Sequence, residues 1–201
     1  MIAQTKKVGD IELTALSDGR LATSLDVILG MDRAEAARLA GTTGGDVHIA
    51  VNAFLLKRAG NWALIDTGAG NSMGPALGKL AENLRAFGVA PEEIAAVFLT
   101  HIHPDHSNGL VDASGRAVYP NAEVILHETE ARFWLDRDEA SGENERIRRN
   151  IAKAAVATAP YRHRMRTVRE GEAMAGVAAV ALPGHTPGIP DGSLHRARRA
   201  C

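Results

Sequence analysis

An α/β architecture is what this sequence predicts: a mixed sheet with helices on its outer face and reactive loops at the strand ends. Strand-patterned segments cluster first and then alternate with helical ones. Three of the apolar strands also run straight into chemistry-bearing residues: Asp66, the cluster at 101–106, and His185. At 201 residues the chain suits one domain with a sizeable core and is short for two.

Residues 11–18, IELTALSD, alternate apolar and polar side chains, predicting a strand that turns at Asp18-Gly19. DRAEAARLA, 32–40, is a short helix stopped by the Gly-Thr-Thr-Gly-Gly of 41–45. VHIAVNAFLLKR and WALID, divided at Ala59-Gly60-Asn61, predict two strands joined as a hairpin. Residues 74–88 place Leu77, Leu80, Leu84 and Phe87 at helical spacing, with Gly88 as the stop. Pro91-Glu92-Glu93 opens one further helical turn. AAVFLT, 95–100, is a buried strand, and AEVILH, 122–127, is the next. ETEARFWLDRD predicts a helix, residues 143–159 an exposed helix, and VAAVAL, 177–182, a last strand. No internal repeat or low-complexity linker interrupts the series.

A hydrophobic fraction of 45% and a charged fraction of 23% belong to a soluble globular chain. The net charge of −1 offers no broad field for nucleic acid or an anionic membrane, and mildly disfavours polyanionic substrates. Cys201 is the single cysteine, so an intrachain disulfide is impossible and a reducing, cytoplasmic setting is expected. Lys6 and Lys7 are followed by no apolar run, so a signal peptide is not expected, and no stretch approaches the ~20 apolar residues of a spanning helix.

LTHIHPDHSNGL, 99–110, gathers three imidazoles and a carboxylate between His101 and His106, out of eight histidines in the chain. At the end of a strand, His101 and His103 should project to one side, and Pro104 should end the ladder. Asp105 and His106 lie on the turn beyond. Neutral imidazole and carboxylate are ligands that Zn²⁺ and its neighbours prefer. One loop supplies donors from one direction only, and His185, framed by Pro183-Gly184 and Pro187-Gly188, supplies the missing one. Three histidines leave a fourth tetrahedral position open, as catalytic zinc requires. In ALIDTGAG, Asp66 is expected to accept hydrogen bonds around this loop and fix the ligands' orientation. His48, His127, His163 and His195 are each isolated and are expected to be surface or packing residues.

His-x-His-x-Asp-His, an upstream Asp-Thr-Gly and a downstream Pro-Gly-His-Thr-Pro-Gly together resemble the metallo-β-lactamase superfamily. GDIELTALSDG, GPALGKLAENLRAFGVAPEEIAAVFLTHIHPDHSNGL and YPNAEVILHETEARFWL look like its methyl-parathion-hydrolase and quorum-quenching lactonase branch, with the likeness running from about residue 9 to residue 188. The resemblance implies an αβ/βα sandwich, here its N-terminal half plus the start of the second, with a two-metal zinc site at the sheet edges. It implies that His101, His103 and His185 hold the first metal. Asp105 and His106 would hold the second, with a bridging Asp and a last His from the second half. It implies hydroxide attack on a carbonyl or phosphoryl centre of a small lactone, ester or phosphotriester, with Asp105 helping to orient the nucleophile.

The likeness stops after Gly188. Ile189 stands where the family has a second histidine, Asp191 is too near His185 to bridge, and the bridging Asp and last His have no visible source. The chain is therefore expected to be an incomplete domain over 1–188 with a divergent basic tail over 189–201, carrying Arg196, Arg198 and Arg199. Apolar surface and a strand edge would be left open, so a homodimer is admitted. Two further functions fit the same residues: a catalytically impaired metal-binding remnant, and an iron-dependent redox enzyme on the same scaffold.

Overall fold

The computed structural model describes residues 4–28, 30–43, 47–136, 145–174, 176–180, 182 and 185–186. The Pro-Gly frame of His185, Ile189, Asp191, His195 and the rest of the 189–201 segment lie outside the described residues.

Seven strands form one sheet in chain order: β1 (Gln4–Val8), β2 (Ile11–Thr23), β3 (Val47–Arg58), β4 (Asn61–Ile65), β5 (Ile94–Phe98), β6 (Glu123–His127) and β7 (Met165–Val168). β1 to β4 pair antiparallel, with two-residue connections from β1 to β2 and from β3 to β4, whereas β4 to β7 pair parallel. Parallel neighbours need crossovers, and the helices supply them. α1 (Arg33–Leu39) lies between β2 and β3, and α2 (Leu80–Phe87) between β4 and β5. α3 (Pro104–Ser107) follows β5, and α4 (Glu128–Leu135) and α5 (Glu145–Thr158) separate β6 from β7. β8 (Gly171–Met174) and β9 (Val177–Ala179) make a separate antiparallel pair.

The predicted hairpin is β3–β4, with Arg58 paired to Asn61, leaving Ala59 and Gly60 as a two-residue turn. Their φ values of 47° and 82° are the positive pair that a type I′ hairpin turn demands. Apolar side chains occupy both faces of the sheet. Leu16, Leu55, Leu64 and Val97 are fully buried with Leu80, Leu84, Trp134 and Ile151 of the helices. Each such side chain contributes about 2 kcal/mol of burial. On the other face Leu56, Phe98 and Ile125 pack with Ile11, Ile65, Val168 and, from β9, Val177 and Ala179. The result is a helix-covered mixed sheet with the start of a second sheet on its far side.

Several expectations are corrected. Asp18-Gly19 is not a turn: β2 continues to Thr23 through a bulge between Ser17 and Gly19. The bulge lets the buried Asp18 carboxylate accept the amides of Ala69 (2.9 Å), Gly78 (3.0 Å) and Leu80 (3.0 Å), satisfying a loop that follows β4. Of 74–88, only Leu80–Phe87 is helical. Gly78 has φ 79°, and a Cβ there would lie 2.2 Å from Gly70 O, so the preceding turn packs backbone against backbone. The helix over 143–159 is not simply exposed: Ile151, Ala154, Ala157 and Thr158 of α5 are buried. The last strand ends at Ala179 rather than 182. β1, whose five residues are all exposed, carries no burial pattern to reveal it. β7 and β8, of four residues each, are too short for periodicity to show.

Candidate metal centre

β4 ends at Ile65, and Asp66, the next residue, has φ 60°. A left-handed conformation costs a side-chain-bearing residue about 1–2 kcal/mol, and Asp is among the few that adopt it. The strain turns the chain from the sheet while the Asp66 amide still donates to Phe98 O of β5 (2.8 Å). The carboxylate accepts the Thr100 amide (2.8 Å), the Thr100 hydroxyl (2.8 Å) and His106 Nδ1 (2.8 Å). Thr67 donates its amide (2.7 Å) and hydroxyl (2.9 Å) to His106 O. Beyond α3, the Gly109 amide donates to Gly68 O (3.0 Å), and a Cβ on Gly109 would lie 1.8 Å from Thr67 O. Asp-Thr-Gly and the histidine loop are thus one hydrogen-bonded unit.

His101 and His103 are not on the strand as expected, because β5 ends at Phe98. Nor does Pro104 end the strand, which has already stopped at Phe98: it opens α3 with His103 as N-cap, so Asp105 and His106 are helical rather than on a turn. The rings converge nevertheless. Their centroids lie 4.7 Å apart for His101–His103, 4.7 Å for His101–His185 and 5.0 Å for His103–His185. One nitrogen from each falls within 4.8 Å of the others, and His103 Nδ1 lies 3.2 Å from His185 Nε2.

The hydrogen-bond network settles one tautomer. The Thr100 hydroxyl has its proton on Asp66, so its oxygen accepts from His101 Nδ1 (3.0 Å). His101 Nε2 is then a lone pair, buried and without a partner among the described residues. A buried polar atom with no partner is rare. A divalent cation is the partner its chemistry calls for, and the donor set fits one. Burial, reinforced by the neighbouring imidazoles, pulls His101 down to about 3. Burial and His185 pull His103 to about 4. Both rings are neutral near neutral pH, the state that ligates.

Asp105 and His106 form an adjoining pair, with Asp105 Oδ2 3.4 Å from His106 Nε2. Burial alone would lower His106, but its hydrogen bonds to Asp105 and Asp66 outweigh it and raise the ring to about 10. Burial would raise Asp105, yet His106 holds it at about 2. His106 is thus an imidazolium held between the Asp66 and Asp105 carboxylates. Among the described residues, no bridging carboxylate or further histidine joins the pair into a group of three.

A cavity of about 410 Å³ adjoins the cluster, lined by Ile65, Phe98, Ile125 and Leu182 with His101 and His185. His48 and His163 are exposed, and His127 N-caps α4 by accepting from Thr129 N (3.3 Å). Thr100, Glu130, Trp134 and Thr186 belong to the site and were missed by sequence reasoning. Glu130 is fully buried and accepts from Ile102 N (3.2 Å), Trp134 Nε1 (2.8 Å) and the Thr186 hydroxyl. A carboxylate beside Phe133 and Trp134 on an otherwise apolar helix face was the available signal.

A family model described as the Metallo-beta-lactamase superfamily matches residues 47–199. Among solved structures, AbOPH, a hydrolase in the β-lactamase superfamily, is 32% identical with a TM-score of 0.82, covering 93% of this chain and 67% of its own. AidC, a dizinc quorum-quenching lactonase in complex with a product, is 25% identical with a TM-score of 0.80, covering 93% of this chain and 68% of its own. A quorum-quenching N-acyl homoserine lactone lactonase, 20% identical with a TM-score of 0.58, covers 94% of this chain and 67% of its own and shows the shared fold. Comparison with curated proteins gave no match. Among the described residues, no helix is long and apolar enough to cross a membrane.

Proposed function

The chain belongs to the metallo-β-lactamase superfamily, and from that premise we propose that it is a zinc-dependent hydrolase of a small lactone, ester or phosphotriester. The observation that carries this reading is the unpartnered lone pair of His101 Nε2, aimed into a cluster with His103 and His185. Those three residues would hold the first ion, and Asp105 and His106 would hold the second once His106 gives up its proton. Such ions polarise a substrate carbonyl or phosphoryl oxygen and bring the pKa of a water toward ~7.

The chain's own groups prepare the site. Asp66 fixes His106 directly and His101 through the Thr100 hydroxyl, so both rings present a defined nitrogen. The Asp105 carboxylate, ionised well below neutrality, can accept a hydrogen bond from the attacking water and orient it. Lactone turnover is favoured as the first assay by AidC, a lactonase, and by the low net charge, which suits an uncharged substrate. A cytoplasmic setting belongs to the same reading, supported by the single cysteine.

The test is metal analysis of the purified chain after zinc loading, followed by assays on an N-acyl homoserine lactone, an aryl ester and an aryl phosphotriester. Turnover of at least one is expected. His103→Ala should lower it by more than about a hundredfold, beyond the usual effect of losing an outer partner of a ligand. A folded chain with two bound ions and no turnover of any of the three would refute the reading.

A further inference from the structure

Glu130 has no part in the chemistry above, yet it is a fully buried carboxylate on α4. Burying a charge is costly unless donors match its oxygens. The donors here come from three places. Ile102 N–H reaches Oε2 at 3.2 Å, from the residue between His101 and His103. Trp134 Nε1 reaches the same oxygen at 2.8 Å from one helical turn ahead. The Thr186 hydroxyl, next to His185, donates to Oε1. Trp134 also lays its ring against His103, with centroids 5.4 Å apart and planes at 72°.

Glu130 therefore bonds both segments that carry the three histidines. The direct link between them, His103 Nδ1 to His185 Nε2 at 3.2 Å, joins two nitrogens that could not share a proton once both faced a cation. A separate fastening is needed, and it must not use the ligands' own lone pairs. We infer that Glu130 is a positioning residue that sets the spacing between the 101–103 and 185–186 segments, holding His185 within reach of the ion bound by His101 and His103. This rests on the metal-site reading above.

Two side chains allow a clean test on the full chain. Thr186→Val removes the hydroxyl at nearly constant volume, and Thr186→Ser restores it. Glu130→Gln exchanges one acceptor oxygen for an NH₂ group. In the metal-free protein, the nuclear Overhauser effect between His103 and His185 ring protons should be present in the parent and in Thr186→Ser, and lost in Thr186→Val and Glu130→Gln. By chelator competition, zinc affinity should fall about tenfold or more in the two disrupting variants and stay within about twofold in Thr186→Ser. Metal-free Thr186→Val should still unfold cooperatively, with its thermal midpoint lowered by only a few degrees for the one donor that Glu130 loses. If Glu130→Gln does not fold, Thr186→Val decides. Parent-like proximity and zinc affinity in Thr186→Val would overturn the inference, as would a Thr186→Ser variant that behaves like Thr186→Val. A parent chain that binds no zinc would instead sink the metal reading, and the ring-proton measurement alone would then judge Glu130.

Discussion

On one wall of the histidine cluster, Thr100 and His106 share hydrogen bonds of 2.8–3.0 Å with the buried Asp66 carboxylate, just beyond the ends of β4 and β5. On the opposite wall, His185 is exposed and reaches the rest of the site through His103 and, by way of Thr186, Glu130. The first wall is part of the folding core. The second is docked onto it. A ligand set divided this way places stability and metal affinity on different residues, because removing a partner from a buried polar unit strands the groups left behind.

The largest effect that could break this contrast is Asp66→Ala. It should cost the metal-free chain about 3–5 kcal/mol, since His106 and the Thr100 amide lose a buried charged partner. Urea unfolding would show it, and a loss under 1 kcal/mol would make the two walls equivalent. Zinc should then add about 3 kcal/mol to the parent at free metal a hundredfold above Kd, an increment that chelation removes. In His185→Ala that increment should vanish, as thermal unfolding with and without zinc would record. Ala59→Gly lies far from either wall and relieves a positive φ, so it should stabilise by about 1 kcal/mol with zinc affinity unchanged. The smallest effect belongs to His185→Ala in the metal-free chain, under about 0.5 kcal/mol, because an exposed ring leaves little unsatisfied when removed. A larger loss there would mean that the second wall also belongs to the core.

Much of this site could be read directly. Donor crowding at 101–106, the isolated His185 and the strand ending at Asp66 are local facts of residue type and spacing, and the rings meet as expected. The backbone around them was read less well. Pro104 opened a helix instead of ending a strand, because a proline at the first helical position loses no bond the helix needs. Asp18-Gly19, a turn by composition, became a bulge inside a strand paired on both sides.

By itself, then, the sequence determined the chemistry available at the site: imidazole nitrogens and carboxylates grouped by patterns of a few residues, on a strand-then-helix alternation that makes an α/β sheet. Only the tertiary structure decided which of those groups are held and by what. Asp18 meets Leu80 across 62 residues, Asp66 meets His106 across 40, and Glu130 meets Thr186 across 56. A buried carboxylate chooses its partners by where the packed chain leaves amides and hydroxyls unsatisfied, and no periodicity along the chain records that requirement.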